Sequence, residues 1–99
     1  MKDMGGYYIP TELIDLTEEQ KEKLFDWINK NLVKTKKIYH GHTAYGMKHY
    51  FHHDTGIYIT TWVFRDAMQE LGFRVKQISK ENYCFNISKH FRTDMKGGR

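Results

Sequence analysis

Leu24, Phe25, Ile28 and Leu32 recur at spacings of three and four, which draws one apolar stripe along a helix from Thr17 to about Val33. Its start carries a capping box, Thr17-Glu18-Glu19-Gln20. There the threonine hydroxyl accepts from the Gln20 amide while the Gln20 side chain reaches back to the Thr17 amide. The two glutamates also sit at the positive end of the helix dipole. The polar run Lys34-Thr35-Lys36-Lys37 ends this helix, Ile38 and Tyr39 predict a short strand, and His40-Gly41-His42 reads as a turn.

A second helix is expected from Thr43 to His53, with Ala44, Met47, Tyr50 and Phe51 on one face and Gly56 just beyond, where glycine suits a left-handed cap. Gly46 weakens it by up to roughly 1 kcal/mol relative to alanine. Ile57-Tyr58-Ile59 is extended and leads to Thr60, the expected N-cap of a third helix. In that helix Phe64, Ala67, Met68 and Leu71 stand at i, i+3, i+4 and i+7 before Gly72 stops the run. From Phe73 the period changes to two. Val75 and Gln77 oppose Lys76 and Ile78, Ser79-Lys80-Glu81-Asn82 turns the chain, and Tyr83, Phe85 and Ile87 alternate with Cys84, Asn86 and Ser88. The order helix, short strand, helix, helix, hairpin predicts an α+β fold, winged-helix-like, with three helices plus a C-terminal β-hairpin.

At 99 residues the chain suits one hydrophobic core rather than two, and its fifteen aromatic residues bring ample surface to bury. Within that single domain the expected parts are an irregular arm over residues 1–12, the helix 17–33, a winged-helix-like unit 38–88 and a basic, frayed tail 89–99. No apolar run resembles a signal peptide or reaches bilayer-spanning length, so a cytoplasmic location in a bacterial host cell is expected, with no membrane partner. Cys84 stands alone, which excludes an internal disulfide and a cysteine-based zinc framework.

The net charge of +4 is unevenly spread. Residues 1–33 sum to −3 and 54–73 to −2, whereas 34–53 sum to +4 and 74–99 to +5. Two basic blocks thus point to an acidic partner. On the third helix, the side opposite the apolar stripe shows Thr61, Trp62, Arg65, Asp66 and Gln69. Arginine can bond guanine, glutamine can bond adenine, and tryptophan can stack or pack against sugar. Arg74, Lys76 and Lys80 on the hairpin would meet phosphates. The candidate nucleic-acid-binding residues are therefore Thr61, Trp62, Arg65, Gln69, Arg74, Lys76 and Lys80.

Five of the six histidines lie between His40 and His53, and His49 and His53 are four apart, a spacing at which two imidazoles can share a zinc ion. With no glutamate in the segment and no cysteine beside it, a surface role is expected rather than a metal site. Cys84 as a nucleophile with His90 or His53 as base is not expected, because a cysteine in an aromatic strand is usually inert. No phosphate-cradling glycine loop and no paired catalytic carboxylates are present, so neither an enzyme nor a cofactor is expected.

Tyr45-Gly46-Met47-Lys48-His49, Thr55-Gly56-Ile57-Tyr58-Ile59-Thr60, Phe64-Arg65-Asp66-Ala67-Met68, Gly72-Phe73 and Phe85-Asn86-Ile87-Ser88 occur in the order found in a group of short proteins. These are carried by bacteriophages and mobile elements of Gram-positive bacteria, and the chain resembles them over roughly residues 39–89. The resemblance implies a mobile-element origin and a small accessory role. Members often carry asparagine after the threonine of the turn, where this chain has Thr61.

Two functions fit these features. One is binding of double-stranded DNA through the winged-helix-like surface. The other is inhibition of a host defence protein, such as a CRISPR effector nuclease, with Trp62 and Tyr58 as interface anchors and the acidic first helix imitating phosphate.

Overall fold

In the computed structural model, which describes residues 12–91, a threonine opens each of three helices. Thr17 caps α1 (Glu18–Asn31), Thr43 caps α2 (Ala44–Thr55) and Thr60 caps α3 (Thr61–Glu70). Each hydroxyl accepts from the backbone three residues on, at 3.0, 3.3 and 3.2 Å, which satisfies one amide that the helix geometry leaves without a partner. At Thr17 the capping box is complete, with the Gln20 side chain accepting from the Thr17 amide at 3.0 Å. Two helix ends need glycine. Gly56 caps α2 at φ 80° and Gly72 follows α3 at φ 90°, both in the left-handed region. Lys34 closes α3 from outside, its ammonium donating to the Leu71 carbonyl at 3.0 Å, at the negative end of the helix dipole.

The remaining elements are a 3₁₀ turn at Leu13–Asp15 and three strands, β1 (Lys34–Thr43), β2 (Val75–Ser79) and β3 (Asn82–Ile87). The strands form one antiparallel sheet in the order β1-β3-β2. The chain is α+β, and its helix-strand-helix-helix-hairpin order with the first strand beside the last is winged-helix-like. No helix among the described residues is long and apolar enough to cross a membrane.

The core gathers Leu24, Trp27 and Ile28 of α1, Ala44, Met47 and Phe51 of α2, Val63, Phe64, Ala67 and Met68 of α3, and Phe85 and Ile87 of β3. Trp27 stands at its centre. Its ring meets Phe51, Phe64 and Phe91 edge-on, at 5.7, 6.3 and 5.8 Å between centroids. Its indole N–H donates to Asp54 Oδ2 at 2.7 Å, giving the one polar atom of a buried ring a charged acceptor. Across the sheet, buried Asn86 ties both outer segments to β3. Its carbonyl accepts from the Arg74 amide at 2.6 Å and its NH₂ donates to the Thr35 carbonyl at 2.7 Å.

Three expectations are corrected here. The segment expected as a polar break, a two-residue strand and a turn at 40–42 is instead the ten-residue β1, so the sheet has three strands rather than a hairpin alone. Its burial does not alternate, because the register to β3 shifts between Lys34 and Tyr39 and again between Tyr39 and Thr43. The backbone of β3 holds it in place without a period-two side-chain pattern. In α1 it is Trp27 rather than Phe25 that is buried, since 27 shares the face of Leu24 and Ile28, and the helix ends at Asn31. Finally, the chain expected to fray from Lys89 stays docked as far as Phe91, whose buried ring lies edge-on to His42 and Tyr50 as well as Trp27. The expected arm over 1–12, apart from Glu12, and the rest of the tail, 92–99, lie outside the described residues.

Trp27→Ala is expected to lower stability by about 3–5 kcal/mol, the usual cost of removing a large buried ring. Asn86→Ala is expected to cost about 1–3 kcal/mol, because it leaves the Thr35 carbonyl and the Arg74 amide unpaired. Urea denaturation followed by circular dichroism measures both.

Candidate nucleic-acid interface

The residues expected along α3 do not form one continuous face. Thr61, Trp62, Arg65 and Asp66 are half-buried and only Gln69 and Glu70 are fully open. A hollow lies at each end. At the C-terminal end, Glu12, Leu13 and Ile14 of the 3₁₀ segment border a hollow of about 410 Å³ with Asp66, Gln69 and Glu70. Gln69 therefore sits among three carboxylates, with no cation on that wall.

Arg65 is held by its own chain. Its Nε and Nη2 donate to Asp66 Oδ1 at 3.1 and 2.9 Å, Nη1 donates to the Tyr83 hydroxyl at 2.9 Å, and the guanidinium lies 5.0 Å from the Tyr83 ring centroid. Partial burial works against the charge, but the hydrogen bond and charge of Asp66, with Tyr83, outweigh it and raise the pKa. Arg74, although exposed, is likewise committed to its own chain, donating to the Lys36 carbonyl. Lys76 and Lys80 on the hairpin are exposed, as are Lys36 and Lys37 on β1. Among the described residues none of these four enters an ion pair, whereas Lys23 and Lys30 of α1 each pair along their helix, with Glu19 at 3.6 Å and Asp26 at 3.3 Å.

The hollow at the N-terminal end of α3 brings in residues that the sequence reading missed. It encloses about 330 Å³ and is lined by Thr60, Thr61 and Trp62, by Tyr45, Lys48 and Tyr58, and by Ser79, Glu81 and Asn82 of the hairpin. Lys48 is 5% exposed. Its ammonium lies 5.2 Å from the Tyr45 ring centroid and 4.7 Å from that of Tyr58, and makes no hydrogen bond or ion pair among the described residues. The signal was in the sequence: Ala44, Met47, Lys48 and Phe51 stand at i, i+3, i+4 and i+7, which puts a lysine on the buried stripe of α2.

The histidines are dispersed. His42 packs against Tyr39, Tyr50 and Phe91, His49 against Tyr45, and His52 against Tyr58, while His53 lies 3.5 Å from Asp54. No three His, Cys, Asp or Glu among the described residues are placed to share a metal ion. Cys84 is buried in β3, and burial pushes its thiol pKa up, partly countered by the charge of Lys76. Comparison with protein-family models, with curated proteins and with solved structures finds no match to this chain.

Two outcomes follow from these environments. Cys84 is expected to react slowly with a disulfide reagent in the native protein and promptly once denatured, measured by absorbance of the released thiolate. His49 is expected to titrate below the ordinary 6.5, because desolvation and then the charges of Lys48 and His52 disfavour its proton. The unfolded chain therefore binds that proton more readily, so this residue's contribution to stability falls as the pH drops through the histidine range. Proton NMR of the imidazole resonances against pH checks the direction.

Proposed function

We propose that the chain binds double-stranded DNA through the outer strands of its sheet and the N-terminal turn of α3. In this reading it acts as a small accessory protein of a phage or mobile element in the bacterial cytoplasm. The observation that carries it is the separation of unpaired charge. Among the described residues, Lys36, Lys37, Lys76 and Lys80 stand exposed and without carboxylate partners on β1 and the β2–β3 hairpin. Most of the carboxylates of the described residues collect elsewhere, on α1 and around the hollow at the far end of α3, and Glu81 at the β2–β3 turn is the one carboxylate on the hairpin. A duplex lying along the hairpin meets cations on both outer strands and avoids the acidic end.

The roles within this surface differ from residue to residue. Lys76 and Lys80 contact phosphate. Thr61 and Trp62, at the first turn of α3, approach the groove. Arg65 positions α3 against β3 through Tyr83, and Arg74 holds β1 through the Lys36 carbonyl. Gln69 lies outside the contact surface. The fold is compatible with protein contacts as well, and exposed Tyr45 and Tyr58 (56% and 45%) favour a second reading in which these rings anchor a host defence protein.

Fluorescence anisotropy with a labelled duplex, repeated across a salt series, tests the first reading. Affinity is expected to fall steeply with salt, and Lys76→Gln with Lys80→Gln is expected to reduce the log–log slope by about 0.9 for each phosphate no longer neutralised. Gln69→Ala is expected to leave binding unchanged. Absence of binding at low salt overturns the DNA reading and leaves the protein partner.

A further inference from the structure

We infer that the hollow between α2, the α2–α3 connection, the first turn of α3 and the β2–β3 turn is a nucleotide-binding site, with the phosphate on Lys48 and the base on an aromatic wall. This deepens the reading just given and rests on it for the first turn of α3: there Thr61 and Trp62 approach a duplex groove, and here they line a site for a single nucleotide.

Lys48 is the first observation. A lysine buried to this degree is ordinarily paired with a carboxylate. Here the stem is buried while the ammonium opens on the hollow, beside two aromatic rings, and among the described residues no carboxylate comes within ion-pairing distance of it. Aromatic faces stabilise a cation while leaving its N–H donors uncommitted.

The second observation is independent of the first. The ten-residue helix α3 begins on the same wall, with Thr60, Thr61 and Trp62 all lining the hollow and no acid in its first turn. The Thr60 hydroxyl is already taken by the Val63 amide, and the amides of Thr61 and Trp62 have no acceptor within the helix. Such an end is suited to an anion. Asn82 adds a donor: its carbonyl accepts from the Tyr45 and Tyr83 amides at 3.1 and 2.9 Å, which leaves its NH₂ for a ligand.

The apolar part of the wall selects among anions. Tyr45, Tyr58 and Trp62 present three rings to one cavity, a surface that a flat base covers and an inorganic phosphate does not. At about 330 Å³ the cavity falls within the size of small-ligand pockets, roughly 300–1,000 Å³. Glu81, the single carboxylate of the lining, opposes a phosphate and supplies a test with a defined sign. The shared chemistry is a ring-bearing phosphate, whose source is either a free mononucleotide or an unpaired nucleotide of a strand.

The experiment titrates dAMP, a 5′-phosphorylated single-stranded oligonucleotide and a blunt duplex into the full chain, reading the indole N–H resonances of Trp62 and Trp27. Trp62 is expected to shift with dAMP, while Trp27, tied to Asp54, stays put. Lys48→Met is expected to weaken dAMP by about tenfold or more, the scale of a charged hydrogen bond removed. Glu81→Gln is expected to tighten it, a gain that unfolding cannot imitate. Tyr58→Leu, which removes a ring of the lining and keeps the Trp62 reporter, provides a second loss should Lys48→Met fail to fold. Stronger binding of the strand assigns the site to nucleic acid, and stronger binding of dAMP assigns it to the free nucleotide. A Trp62 resonance unmoved by all three probes, or a folded Lys48→Met that binds dAMP as well as the parent chain, overturns the proposal. Lys76→Gln with Lys80→Gln leaves the dAMP response intact, so the failure of this site and the failure of the duplex reading are told apart.

Discussion

The indole of Trp27 is the constraint on which the rest of the molecule depends. It joins α1 to α2 through Phe51 and Asp54, to α3 through Phe64, and to the chain leaving β3 through Phe91. Edge-on packing fixes the orientation of each partner ring, and the hydrogen bond to Asp54 fixes the orientation of the indole itself. Because the last turn of α2 is held in this way, the short connection that follows brings Thr60 to a set place, and α3 starts where the hairpin tip can meet it.

The sheet carries this arrangement outward. β3 is central, and every residue from Tyr83 to Ile87 is buried, so the strands on either side of it are the ones that present charge. Asn86 holds both of them by satisfying one backbone group on each side. Lys34 and Arg74 are spent on carbonyls near the sheet's edges, which separates the cations that build structure from those left for a partner. Pairing of Arg65 with Asp66 and Tyr83 has a similar effect on α3: it commits the most obvious base-reading residue to its own chain and leaves the first turn, beside the hollow and its neighbouring rings, as the part not so committed.

Local signals made much of this fold legible. The capping box at Thr17, the Thr60 cap, the i, i+3, i+4, i+7 stripe of α3 and the glycine stops at 56 and 72 all act within a few residues, and each appears where the pattern placed it. The hairpin also forms, but without the expected alternation, because β3 is buried on both faces at the centre of the sheet and β2 is exposed at its edge. Lys48 was legible too, as a cation on an apolar stripe, although its meaning was not. β1 was not legible, because its hydrogen bonds come from a strand more than forty residues away and its register slips twice.

What the sequence by itself determined is therefore the set of elements and their ends, since caps, periods and turn residues are short-range. It also determined that basic residues dominate two blocks of the chain. Only the tertiary structure decided which of those cations are free. Lys34, Arg65 and Arg74 find their acceptors across separations of 37, 18 and 38 residues, and Lys48 is enclosed by rings from α2 and from the connection to α3. Pairing of a charge depends on distance in space, which periodicity along the chain does not encode, and so the candidate site moved from the length of α3 to its first turn.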